Sequence, residues 1–190
     1  MVTDEDSDYA LLVACDEWFG QGDVFESVPL GPSPADAMWP RTASGDGFLH
    51  PALLLTHGCA LDKRSGSGAI RIERLHFIPL ENVAAQSRDK QGALRRGARN
   101  IEPSEVLYLG EVPALDFEAF VVLSNLHTVP ARLFDLTLVD VTGKDGEVID
   151  RRLSGHRHDE RVATLSEKHV ELLKDKINVY WTRRAPDSEG

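Results

Sequence analysis

The chain is cut by glycine and proline into short apolar segments, and only its last segment carries a long helical stripe. Such punctuation leaves little room for helical bundles and points to short antiparallel strands. Gly22-Asp23-Val24-Phe25 reads as the entry into a strand. His50-Pro-Ala-Leu-Leu-Leu-Thr56 is too short for a helix and is bounded by Gly58, so it reads as a buried strand. Over Ile70–Leu80 the pattern alternates at first, with Ile70 and Ile72 on one face and Arg71 and Glu73 on the other. Further strands are expected at Val106–Leu109, Ala119–Leu123, Leu133–Val139 and Glu147–Leu153, with Gly143-Lys-Asp-Gly146 as the turn between the last two. Tyr9–Phe19 fits either a short helix or a strand.

Val170, Leu173, Ile177 and Trp181 recur at helical spacing, flanked by Leu172 and Tyr180. Thr164-Leu-Ser-Glu167 fits a capping box at the start of that helix, with Ser166 as the alternative cap. Glu167, Lys168, Glu171, Lys174, Asp175 and Lys176 fall at the positions expected to face water. The expected fold is mainly β with helices: a small antiparallel barrel or curled sheet closed off by a C-terminal helix.

Charge divides the chain into three blocks. Residues 1–60 hold one basic and ten acidic residues, residues 61–100 nine and four, and residues 101–190 eleven and seventeen. The blocks sum as −9, +5 and −6 to the net −10. That balance excludes a uniformly basic surface but allows a local basic patch. The domain expectation follows: an acidic tail over 1–8, one domain over 9–184 with a basic insertion over about 63–100, and a tail over 185–190. The stretch 29–47, rich in proline and glycine, reads as a long loop.

Cys15 and Cys59 are the only cysteines, too few for a disulfide framework. No apolar run reaches the ~18 residues of a membrane span, and the start lacks the basic and apolar regions of a secretory signal. A cytoplasmic protein without membrane contact is the expectation.

Three clusters bear chemistry. His57 and Cys59 follow a predicted buried strand, where a side chain is both fixed and exposed. A thiol paired with His is an activated nucleophile; the plain alternative is a packed cysteine and a turn histidine. A metal site is not expected, because zinc needs three or four ligands and no second cluster is suitably spaced. His156-Arg-His158-Asp159 reads as a solvated loop. In the basic block, Lys63, Arg64, Arg71, Arg74, Arg95, Arg96 and Arg99 are candidate phosphate contacts; the plain alternative is a solvent face. No glycine-rich nucleotide loop, nucleophile elbow or paired-histidine zinc helix is present, and no cofactor is expected.

Several pieces, in order, resemble the PemK/MazF toxin family. Gly22-Asp23-Val24-Phe25 is similar to the family's opening strand, and His50-Pro51-Ala52-Leu53-Leu54-Leu55-Thr56 to its Arg-Pro-Ala-Leu-Val-Leu-Ser strand. Residues Ala119–Leu133 and Arg161–Ser166 are similar to the later strands and the start of the terminal helix. The resemblance covers about half the chain. It implies an SH3-like barrel, toxin–antitoxin context, homodimers, a protein partner such as an antitoxin, and an endoribonuclease that engages RNA or other single-stranded nucleic acid without metal. The chain departs from the family at two places. His50 stands where the family has Arg, and Pro79 and Pro113 are followed by Leu80 and Ala114, not by a hydroxyl residue. The candidate catalytic residues are therefore His50, His57 and Cys59, with His57 and Arg71 or Arg74 the best pair for proton transfer and phosphorane stabilisation. The rival is a non-catalytic binding or adaptor module of a phage or mobile-element conflict system. A thiol enzyme using Cys59 is a third.

Overall fold

The computed structural model describes residues 11–13, 18–31, 48–57, 61, 70–97, 105–155, 157 and 160–183. The expected acidic tail, most of the 29–47 loop, Cys59, Lys63, Arg64, Arg99, His156, His158 and the C-terminal tail lie outside them.

Strands β2 (Asp23–Leu30), β3 (Phe48–Leu54) and β4 (Arg74–Pro79) send apolar side chains to both faces, and β3, buried from His50 to Leu54, is the one that reads as a continuous apolar run. Successive side chains go to opposite sides. Val24, Leu53 and Ile78 enter one core; Phe25, Leu54 and Phe77 enter another. Together with β1 (Leu11–Val13), β8 (His127–Pro130) and β11 (Arg161–Leu165), they form an antiparallel six-stranded sheet in the order β1-β11-β2-β3-β4-β8.

Two smaller sheets cover it. Strands β5 (Glu81–Asn82), β6 (Val106–Glu111) and β7 (Glu118–Val122) pair in the order β5-β7-β6. Leu107, Leu109, Ala119 and Val121 of this sheet join the first core, with Leu173 and Tyr180 of helix α2 (Glu167–Arg183). On its other side, Phe120 packs with Leu94 of helix α1 (Arg88–Gly97). The hairpin β9 (Thr137–Thr142) and β10 (Val148–Ser154) brings Leu138 and Leu153 to the second core. Among the described residues the sheets are antiparallel and their ladders do not close into a barrel. Among the described residues, no helix is long and apolar enough to cross a membrane.

The second core centres on Phe19, Phe25, Phe77 and Phe134. Phe25 meets Phe19, Phe77 and Phe134 edge to face at 5.1, 5.8 and 5.9 Å, and Phe77 stacks on Phe134 at 5.4 Å. Gly155 sits against this cluster, where an added Cβ would lie 2.2 Å from the carbonyl oxygen of Phe134. Backbone cannot yield as a side-chain tip does. Gly155→Ala is therefore expected to cost about 1–3 kcal/mol, read as a lower urea midpoint at unchanged m; an unchanged midpoint would contradict this packing.

Several expectations shift. The strand expected from Ile70 starts only at Arg74; Ile70 makes an isolated bridge. Within the stretch 63–100, β4 places Leu75, Phe77 and Ile78 fully in the core. The second half of the stretch is α1, which runs through Gly92 and ends at Gly97. The strand expected over Leu133–Val139 is displaced to Thr137–Thr142, because Ala131–Phe134 forms a 3-10 turn that Asp135 ends at φ 41°. Thr164 is a strand residue paired with Leu12, so Ser166, immediately before α2, is the residue at the capping position. Its Oγ lies 2.8 Å from Nδ1 of His169. Lys176, expected in water, is 2% exposed. Its burial pushes the ammonium pKa down from its ordinary value.

Candidate functional site

The site begins where the β3–β4 ladder ends. Leu54 pairs with Phe77 as the last rung, and the chains stay together one step further, with Leu55 N–H donating to His76 C=O at 2.8 Å. The His76 N–H donates to Thr56 Oγ1, also at 2.8 Å. Thr56 thus does for the splaying strands what a ladder bond would have done. His57, just past β3, and His76 on β4 both line the cavity that opens here.

Gln21 enters from the turn before β2. Gly22 carries φ +97°, a left-handed conformation that favours glycine, and the Gln21 Nε2 donates to Leu55 C=O at 3.1 Å. From the other side α2 contributes Lys174, Ile177 and Asn178, and the β7–β8 turn contributes Leu126. Arg71, Ile72 and Arg74 complete the wall. The result is a cavity of about 600 Å³, within the usual range of a small-ligand site.

Its charge has one sign. Arg71, Arg74 and Lys174 line it with the two imidazoles, and no carboxylate does among the described residues. Lys174 Nζ is shared with Glu171 at 2.6 Å, one turn away on the same helix. The floor is apolar, from Leu55, Ile72, Leu126 and Ile177. A cationic rim over an apolar floor selects an anion that also carries a flat or apolar body.

The sequence candidates separate here. His57, Arg71 and Arg74 line the same cavity. His50 does not join them. It is 3% exposed, within β3 opposite Val28, with its ring 6.4 Å from that of Phe48. The strand alternation that buries it cannot also present it to a substrate, so a catalytic role for His50 is not supported.

Arg95 and Arg96 lie on α1, beyond the three-stranded sheet from the cavity. Arg95 holds Glu118 by both carboxylate oxygens, the shortest contact at 2.6 Å, and the Tyr108 hydroxyl donates to the same carboxylate. Arg95 is thus already paired within its own sheet and helix, with its side chain half exposed. The hydrogen bond from Arg95 drives the Glu118 carboxyl below its ordinary 4.5, and burial with the Glu118 contact lifts the Tyr108 phenol to about 12. A carboxyl lowered in the folded state contributes stability above its ordinary pKa, which is lost as pH falls through the folded value. Glu118→Gln is accordingly expected to flatten the fall of the urea midpoint as pH drops below about 4.5. An unchanged acid limb would contradict the triad.

His76, Lys174, Gln21 and Asn178 were not found from sequence. Lys174 and Asn178 share one face of α2 at i, i+4 spacing, where the pattern sends them to water, and only the topology brings Gln21 and His76 to them. No group of three or more His, Cys, Asp or Glu able to hold a metal occurs among the described residues.

No protein-family model matches the chain, and no curated protein matches it.

Proposed function

We propose that the chain engages RNA or other single-stranded nucleic acid in the cationic cavity and cleaves RNA there without a metal. The observation that supports this most is the joint placement of His57, His76, Arg71 and Arg74 around one cavity with no carboxylate lining it among the described residues. Two imidazoles are what transesterification needs. His57 takes the 2′-hydroxyl proton as the 2′-oxygen attacks phosphorus; His76, protonated, gives its proton to the departing 5′-oxygen. The products are a 2′,3′-cyclic phosphate and a free 5′-hydroxyl, with no net change in protons. Arg71 and Arg74 carry the charge that builds on the phosphorane. The apolar floor offers a base a face to pack on.

The PemK/MazF-like barrel belongs to the same proposal. Its support is the adjacency of β2, β3 and β11, which hold three of the four family-like segments; the fourth, Ala119–Leu133, runs from β7 of the three-stranded sheet to β8. A homodimer and an antitoxin-like partner follow from the resemblance alone. The binding-module alternative is favoured by His50, which occupies the family's Arg position and is buried.

Binding tests the proposal first. Each phosphate contact to a single strand adds about −0.7 to the slope of log K against log salt. Arg71→Ala/Arg74→Ala is expected to weaken binding of a fluorescent oligoribonucleotide and to make that slope shallower by about 1.4. Arg95→Ala/Arg96→Ala is expected to leave both unchanged. The reverse pattern would place the nucleic acid on α1 and overturn the proposal.

A further inference from the structure

A second and larger groove, about 1240 Å³, lies on the other side of α2. It runs between two sheet edges. Strand β1 ends the six-stranded sheet and β6 ends the three-stranded sheet, and among the described residues no strand pairs with the outer side of either. An unpaired edge carries backbone donors and acceptors that another chain can meet. Strand β6 is bent by a bulge between Tyr108 and Gly110, where Gly110 adopts φ +75°, and a bulge at an edge re-aims the side chains beside it.

The floor of the groove is apolar, from Leu109, Phe117 and Leu172. Its exposed rim is acidic. Glu118 and Glu171 reach it already engaged by Arg95 and Lys174, but Glu111, Asp116 and Asp175 line it as exposed carboxylates. Lys168 is the one lysine or arginine lining it among the described residues. This potential repels nucleic acid, so the groove is not an extension of the RNA cavity. It also disfavours the first ten residues of the chain itself, which hold four carboxylates and no lysine or arginine.

We propose that this groove docks an extended basic segment of a partner protein. Alternate apolar side chains of the segment fill the floor, and intervening Lys or Arg side chains meet Glu111, Asp116 and Asp175. Extended backbone places successive side chains on opposite sides, which suits a groove with an apolar base and a charged rim.

A short synthetic peptide alternating arginine and leucine, labelled for fluorescence anisotropy, tests this on the full chain. Glu111→Gln/Asp116→Asn/Asp175→Asn should weaken its binding roughly tenfold, as loss of several charge contacts would. A control of equal charge change on exposed carboxylates elsewhere, Glu26→Gln/Asp145→Asn/Glu147→Gln, should bind as the unaltered chain does. Amide exchange should slow in Leu11–Val13 and Val106–Glu111 when the peptide is bound. Equal weakening in both variants means that net charge alone attracts the peptide, and overturns the proposal. So does absence of binding, exchange protection elsewhere, or tighter capture of an oligoribonucleotide by the groove than of the peptide. None of these outcomes depends on the RNA cavity, where a failure would show in the Arg71 and Arg74 variants.

Discussion

In the proposed reaction, His57→Ala should slow RNA cleavage by about 10²–10⁴-fold, the usual contribution of a positioned general base. It should do so with oligoribonucleotide affinity nearly unchanged, because the proposal gives the phosphate to Arg71 and Arg74 and not to His57. The proposed reaction takes its proton acceptor from the protein, so the unaltered chain should cut equally well with a chelator present. Replacing the 2′-hydroxyl of the substrate by hydrogen should stop the reaction, since no attacking oxygen remains. His76→Ala should show a similar loss, reduced on a substrate whose leaving group departs without a proton. If His57→Ala cuts as fast as the unaltered chain, the proton transfer is not where the cavity puts it. Binding that persists with no cleavage by the unaltered chain would favour the binding module.

The second large effect concerns stability. Arg161 and Asp23 form an ion pair at 3.1 Å, with side chains 3% and 2% exposed, between neighbouring strands β11 and β2. Arg161 also donates to the Trp18 carbonyl, and Asp23 accepts from Gly20 N–H at 2.6 Å. Burial pushes the Asp23 carboxyl above its ordinary value, and the Arg161 charge opposes that rise. Arg161→Ala leaves the carboxylate buried and unpaired, which should cost about 3–5 kcal/mol. Asp23→Asn/Arg161→Met should recover most of the loss, because neutral replacement of both partners leaves no uncompensated buried charge. The sign of the pH effect follows from linkage. A carboxyl raised in the folded state holds its proton where the unfolded chain has released it, so stability falls as pH rises from about 3.8 through the folded value. Without Arg161 the carboxyl rises further, and the single variant should regain relative stability in acid. A loss below about 1 kcal/mol at neutral pH, in the range of an exposed pair, would show that the pair is solvated.

Much of the central sheet was legible from residues. The Leu53-Leu54-Leu55 run reads as a strand because both of its faces are covered. Gly143–Gly146 marks the hairpin because Gly146 takes the positive φ of +79° that the turn demands. The misplacements have local causes. Ile70 and Ile72 alternate as a strand would, but Ile72 is apolar because it lines the cavity, and regular pairing starts after it. Leu133–Val139 is apolar enough for a strand, yet the chain first makes a 3-10 turn from Pro130 and reverses at Asp135. Lys176 carries a charge that pattern reading sends to water, while its position on α2 faces inward with Leu173 and Tyr180.

The site was half legible. His57 was visible as a histidine beyond a buried strand, and Arg71 and Arg74 as members of a basic block. That the block divides between the cavity and α1 was not visible, because charge along a chain carries no record of which sheet lies between two of its members. Cavity-lining Gln21 and Asn178 are separated by most of the chain, and only the sheet order brings them together.

Photocrosslinking of a thiouridine-labelled oligoribonucleotide, followed by peptide mapping, tests the central claim most directly. Crosslinks should fall in the β3 end and β4 segments that carry His57, Arg71, Arg74 and His76, and should vanish in Arg71→Ala/Arg74→Ala. Crosslinks on the α1 segment with Arg95 and Arg96, or none in the cavity segments, would contradict the account.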